Sequence, residues 1–220
     1  KDSGWTIPKP SAGNNQIHTF PAMSATILPP APINAPIVLA SNSPRRRELL
    51  SLIVPEFTIA PSRSVDESFD ASIPASQVPV VLSQIKSTAY SDLATDGAVL
   101  ITADTVVICD GRIMGKPATR DEAVEMLRAL SGRQHTVVTG VTLRQGPKIR
   151  SFAETTIVNF AELSDAEISE YVDRYRPYDK AGAYGIQEWI GCIGITGIQG
   201  CYYNVMGLPL HHLYQALRAL

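Results

Sequence analysis

Of the 220 residues only three are cysteine, and Cys109, Cys192 and Cys201 form no CxxC pair. That excludes a disulfide-built scaffold and a cysteine zinc site, and reads as a reduced, cytoplasmic protein. Cys192 and Cys201 could still face each other across a hairpin, which spacing alone does not decide. Charge of one sign is also missing: the formal net charge is −2. This argues against general binding to nucleic acid or an anionic membrane surface, though not against a local basic pocket. No apolar run reaches the roughly 18 residues that a membrane span needs. Three catalytic signatures are absent as well. There is no GxxxxGK[ST] phosphate loop, no G-x-S-x-G elbow, and His18, His135, His211 and His212 have no metal-ligand spacing. Arg133-Gln134-His135 reads as the polar start of a strand.

Hydrophobic residues make up 45% of the chain, enough for one sizeable core in one or two lobes. Residues 1–35 stand apart: they are dense in proline, glycine, asparagine and serine, and lack any sustained period. They read as an extension or tag remnant with little structure of its own, not as a secretory signal. The domain is expected over residues 36–220. Strands and helices mix there without a strict βαβ rhythm, which predicts an α/β fold with a mixed sheet and a cleft. Val78, Val81, Leu82, Ile85 and Ala89 recur at helical spacing, with Lys86 on the flank of that stripe. Thr119-Arg120-Asp121-Glu122 and Ser164-Asp165-Ala166-Glu167 are capping boxes that open two further helices. Asp110-Gly111 is a hairpin turn. The glycine-rich, β-forming residues 190–206 predict a second hairpin, and Leu208-Pro209 opens the last helix.

The densest chemistry lies in Ser41-Asn42-Ser43-Pro44-Arg45-Arg46, directly after the apolar segment from Pro36 to Leu39. Ser43 is a good N-cap and Pro44 suits the first helical position. The helix then buries Leu49, Leu50 and Ile53. Its start carries free N–H groups, the hydroxyls of Ser41 and Ser43, and the guanidinium groups of Arg45 and Arg46, a set that suits phosphate. Cations at a helix N-terminus oppose the dipole, so a purely structural version would be locally unfavourable.

Asp104 is the lone acid in the apolar run from Ala98 to Cys109. A carboxylate there must be paired, metal-bound or at a strand end. It reads either as a buried salt-bridge partner or as a general base or metal ligand facing a cleft. Glu67, beside Asp66 in a polar loop, is ordinary surface unless a second carboxylate shares a divalent cation with it. Lys86 and Lys116 are solvated by default, although the turn Gly115-Lys116-Pro117 would hold one amine in a fixed direction. Gln187 closes the glycine-punctuated loop from Asp179, where it is either a surface amide or a reader of a nucleobase edge.

In order, LASNSPRR (39–46), ADT (103–105), GKP (115–117), LSG (130–132), HTVVTGV (135–141), DKAGAYGIQ (179–187) and GLP (207–209) resemble the Maf family of nucleotide pyrophosphatases. The resemblance runs from about Pro36 to the C-terminus. It implies an elongated mixed-sheet domain whose two lobes flank a deep cleft, related to the inosine triphosphate pyrophosphatase fold. It also implies a homodimer and hydrolysis of a nucleoside triphosphate to the monophosphate and pyrophosphate, with Mg²⁺ or alternatively Mn²⁺. Asp104 matches the family's proton acceptor and, with Glu67, its metal site. Arg45, Thr105 and Gln187 match positions tied to base selection. Ser41, Ser43, Arg46, Lys86 and Lys116 match other cleft residues. The AGAYGIQ form is similar to the branch acting on dTTP and UTP, not the one preferring 7-methyl-GTP. A nucleotide sensor that influences cell division without hydrolysis would use the same cleft.

Overall fold

The structure is a computed structural model that describes residues 35–95 and 97–220, so the expectation for the N-terminal extension falls, but for Ala35, outside the described residues. Among these residues seven strands form one mixed sheet: β1 (Ile37–Leu39), β2 (Thr58–Ile59), β3 (Val99–Cys109), β4 (Arg112–Met114), β5 (Gln134–Gln145), β6 (Lys148–Phe160) and β7 (Ile195–Gln199). The order is β2-β1-β3-β5-β6-β7, with β4 on β3. β1 pairs in parallel with β2 and β3, and the remaining pairs are antiparallel. Asp110 (φ 49°) and Gly111 (φ 74°) turn β3 into β4, the left-handed pair that a tight hairpin requires.

Among the described residues seven α-helices cover the sheet: α1 (Pro44–Ser51), α2 (Val78–Ala89), α3 (Arg120–Leu130), α4 (Asp165–Tyr175), α5 (Trp189–Gly194), α6 (Tyr202–Met206) and α7 (Leu210–Arg218). The caps act as their sequences suggest except at Thr119, where the Glu122 carboxylate accepts from Ala118 N instead of closing the box on Thr119 N. The Ser43 hydroxyl accepts from Arg46 N, and Thr119 accepts from Glu122 N. Ser164 and Glu167 form a reciprocal capping box. α1 buries Leu49 and Leu50, while Ile53 falls beyond its end and is only half-buried.

Among the described residues two large apolar cores lie beside a smaller cluster around Tyr90 and Leu100. One joins β1, α1 and α7 to Val99, Ile101 and Ala103 of β3 and to Val141 and Leu143 of β5. The other joins α3, α4 and α5 to Val107 of β3 and Val137 of β5. β3 and β5 therefore run through both lobes, and the cores part around Asp104 and Thr105.

Two sequence expectations change. The buried face of α2 is Val78, Pro79, Leu82, Ser83 and Ser87, not a stripe through Val81, Ile85 and Ala89. Small side chains let α2 lie almost on the backbone of β5: a Cβ on Gly140 would stand 2.3 Å from the Pro79 carbonyl carbon. Ser83 Oγ meets Thr142 Oγ1 at 2.7 Å, and Thr102 Oγ1 donates to the Ser83 carbonyl at 2.7 Å, so the serines are hydrogen-bonded where they are buried. This turn of the helix aims Lys86 at the sheet.

Residues 190–206 do not form a hairpin. They comprise the end of α5, then β7, then α6, and β7 pairs with β6. Gly191 explains the helix: a Cβ there would sit 1.9 Å from the Ile186 carbonyl oxygen, so only glycine admits this packing. This close backbone contact overrides the β preference of the isoleucines. With no hairpin between them, Cys192 and Cys201 do not pair, and all three cysteines are free thiols. Gly140→Ala should destabilise the protein by about 1–3 kcal/mol through forced separation of α2 and β5, read as a lower urea midpoint at unchanged slope.

Candidate active site

β5 occupies one edge of β3 from Leu100 to Ile108. On the opposite edge β1 pairs only with Val99–Ile101, and β4 only with Val107–Cys109. Among the described residues the stretch between, Thr102–Val106, has no strand beside it on that edge, and Asp104 lies at its centre. Backbone groups left open in this way need partners. Arg46 supplies them from the first turn of α1. Its Nη1 donates to the Ala103 carbonyl at 2.8 Å, its Nη2 to Thr105 Oγ1 at 2.9 Å, and its Nε to the Gly207 carbonyl at 2.8 Å. Burial pulls this guanidinium below its ordinary pKa; Asp104 and Glu67 oppose that pull, and Arg45 adds to it. Three of five donors are used within the protein, leaving two for an anion.

Lys86 reaches the same gap from α2. Its Nζ lies 2.5 Å from Asp104 Oδ1 and 3.2 Å from Glu67 Oε2. Lys86 and Asp104 are about 85% buried, whereas Glu67 is half exposed, at 48%. Two carboxylates thus converge on one cationic point. Among the described residues no group of three or more His, Cys, Asp or Glu side chains gathers. Two carboxylates are enough for Mg²⁺, which takes one or two from protein and the rest from phosphate and water. The donor set fits that ion in the presence of a phosphorylated ligand.

Two adjoining chambers open from this point. Ser43, Arg45, Arg46, Lys86, Lys116 and Asp179 line both. The first adds Ser41, Asn42 and Glu67, giving hydroxyls and cations around the start of α1. The second adds Asp104, Thr105 and Gln187 with apolar walls from Val137, Val205 and Met206. All ten candidate residues read from the sequence therefore meet in one cleft: Ser41, Ser43, Arg45, Arg46, Glu67, Lys86, Asp104, Thr105, Lys116 and Gln187.

An ion-paired network unassigned in the sequence holds the loop that carries Gln187. Arg45 Nη1 bridges the cleft to Asp179 Oδ2 at 2.6 Å. Burial raises the Asp179 pKa, but hydrogen bonds from Lys180 and Arg45 outweigh it and bring the carboxyl to about 2. Buried Lys180 lies 2.8 Å from Asp179 Oδ1 and 3.1 Å from Glu188 Oε1. Glu188 also accepts from the Tyr171 hydroxyl, which accepts from Gly185 N at 3.0 Å. The only sequence signal was charge beside glycine, which any surface turn shares.

A sequence profile of the Maf-like protein family matches residues 36–220. This chain belongs to that family. It is 52% identical over 184 residues to the dTTP/UTP pyrophosphatase of Porphyromonas gingivalis, covering 83% of this chain and 92% of that protein. It is 49% identical to the dTTP/UTP pyrophosphatase of Bacteroides thetaiotaomicron, covering 84% of this chain and 95% of that one. The fold is similar to that of the Staphylococcus aureus Ham1 protein, with a TM-score of 0.50 at 16% identity over 83% of this chain and 98% of that one. The two-lobed mixed sheet of this Maf-like chain thus has the architecture expected from its motifs.

Beneath the second chamber, His135 is buried rather than polar surface. Its Nε2 lies 2.7 Å from the Tyr184 hydroxyl, and its Nδ1 has no partner. Burial lowers the imidazole pKa from 6.5 to about 4. Below pH 6.5 the unfolded chain therefore takes up a proton that the folded chain refuses. Stability should fall as pH drops from 6.5 to 4, by up to about 3 kcal/mol from this residue. Urea unfolding of the Maf-like protein at pH 7.5 and 4.5 should show that loss, and His135→Gln should flatten it.

Proposed function

We propose that the chain hydrolyses dTTP and UTP to the nucleoside monophosphate and pyrophosphate. The observation that carries this reading is the placement of Asp104. It sits in the open edge of β3 where a cationic, hydroxyl-rich chamber adjoins one with apolar walls and the Gln187 amide. A phosphate chain matches the first chamber, and a nucleobase matches the second. The anhydride between them is then presented to the carboxylate. A pure phosphate binder gains nothing from an acid beside the anion. The names of the relatives at about 50% identity support the same reaction and bases.

In this reading Ser41, Ser43, Lys116 and the two free donors of Arg46 bind the phosphate oxygens. Asp104 accepts a proton from a water that attacks in line at phosphorus, the α–β anhydride bond breaks, and pyrophosphate leaves with the bond's electron pair. Lys86 holds the Asp104 carboxylate in place and faces charge developing on the phosphates. Arg45, braced by Asp179, and Gln187 orient the base end. Glu67 and Asp104 would hold Mg²⁺, or Mn²⁺ in its place, which when bound neutralises phosphate charge. A homodimer rests on the family resemblance alone. A cytoplasmic setting is consistent with three unpaired thiols, and among the described residues no helix is long and apolar enough to cross a membrane.

Pyrophosphate release from a panel of unmodified, methylated and deaminated triphosphates tests the reading. Release from dTTP and UTP is expected. Preference for 7-methyl-GTP would overturn the base assignment, and binding without release from any would point to a sensor. Asp104→Asn should lower kcat by at least about a hundredfold with the fold intact by circular dichroism. Turnover near that of the parent would remove Asp104 from the mechanism.

A further inference from the structure

Thr105 of β3 and Thr139 of β5 are paired across the sheet, their Oγ1 atoms 2.9 Å apart. A hydroxyl carries one proton, so the direction of each bond in this chain can be counted. Thr139 is fully buried, and its Oγ1 lies 3.0 Å from the Asn204 carbonyl oxygen. A carbonyl only accepts, so Thr139 donates there and has no second proton. Thr139 must then accept from Thr105. On the other side Arg46 Nη2, at 2.9 Å, can only donate to Thr105. The chain runs one way: Arg46 N–H to Thr105, Thr105 O–H to Thr139, Thr139 O–H to the Asn204 carbonyl.

Both ends are held. Arg46 is fixed by the Ala103 and Gly207 carbonyls. Asn204 is fully buried, and its Nδ2 donates to the Val137 carbonyl and to Thr156 Oγ1, each at 3.0 Å. Reversal would turn a lone pair of Thr139 toward the Asn204 carbonyl, and two acceptors held at 3.0 Å repel.

We propose that Thr139 is a positioning residue that makes Thr105 a pure acceptor toward the second chamber, and that this polarity selects a base edge carrying a donor. Thr105 has given its proton and one lone pair to the protein, and the lone pair that remains is what a ligand meets. Uracil and thymine present an imide N–H that such an atom can accept. Cytosine presents a lone pair at the same ring position and leaves two acceptors facing each other. Among the described residues no hydrogen bond fixes which end of the Gln187 amide faces the chamber, so that amide can turn to suit either base. Discrimination between them then falls to Thr105. The inference rests on the nucleotide reading above for its ligand class.

Binding of non-hydrolysable α,β-imido analogues of UTP and CTP to the full chain with Mg²⁺, by titration calorimetry, separates this from the reaction itself. The parent protein should bind the UTP analogue about tenfold tighter than the CTP analogue, the worth of one such hydrogen bond. Thr139→Val frees the Thr105 proton and should bring the ratio to within about threefold, while Thr139→Ser should keep it. A ratio near one in the parent, or a ratio unchanged in a folded Thr139→Val protein, overturns the inference. Thr139→Ala is judged by the same ratio should the valine variant not fold. Discrimination between the analogues without pyrophosphate release from UTP would overturn the reaction and leave the hydroxyl relay standing. Equal release from UTP and CTP would do the reverse.

Discussion

A cation set into an incomplete sheet edge is the constraint on which the rest depends. Where β1 ends and β4 has not begun, β3 offers the Ala103 carbonyl to no strand, and Arg46 takes it. The same guanidinium holds Thr105 and the Gly207 carbonyl, so it ties α1, β3 and the turn between α6 and α7 into one frame. An arginine suits this place because its planar fork meets several acceptors at fixed angles and keeps its charge when buried. The positive charge that completes the fold also lines the cationic, hydroxyl-rich chamber. Structural and chemical roles therefore fall on one side chain.

Two lobes follow from the same gap. Their cores share no fully buried residue, yet β3 and β5 pass through both, so Asp104 and Thr105 are held by rigid strands while solvent reaches them from one edge. The close approach of α2 to β5 over Gly140 then brings Lys86 between Asp104 and Glu67. A buried carboxylate without that partner would be costly, and a buried lysine without the carboxylates equally so. Each group makes the other's burial tolerable, and both remain at the mouth of the cleft.

Legibility in the sequence followed how local each signal was. Ser43-Pro44, the Ser164–Glu167 capping box and Asp110-Gly111 act through atoms a few residues away and stand in the structure as read, whereas the Thr119 box forms only its hydroxyl half. The α2 face was misread because serines on a buried face look like surface in a hydrophobicity pattern. Their hydroxyls are buried here by hydrogen bonding, Ser83 with Thr142 and Ser87 with Arg144. The run 190–206 was misread because Gly191 acts through a contact with Ile186 that no pairwise propensity contains. Glu67 and Asp104 lie far apart in sequence, and only Lys86, their shared partner in space, joins them.

The residues by themselves determined the chemistry available: an acid in an apolar strand, hydroxyls and arginines at a helix start, a glycine-rich loop ending in an amide, and the ordered motifs that mark the Maf-like family. They determined the mixed α/β class for the same reason, since caps, turns and periodicity are properties of short segments. Tertiary structure alone decided which charges meet, which edge of β3 stays open, and which way the protons of Thr105 and Thr139 point. Those are settled by acceptors brought from distant strands and helices. A side chain's proton is committed only when its neighbours in space, not in sequence, are in place.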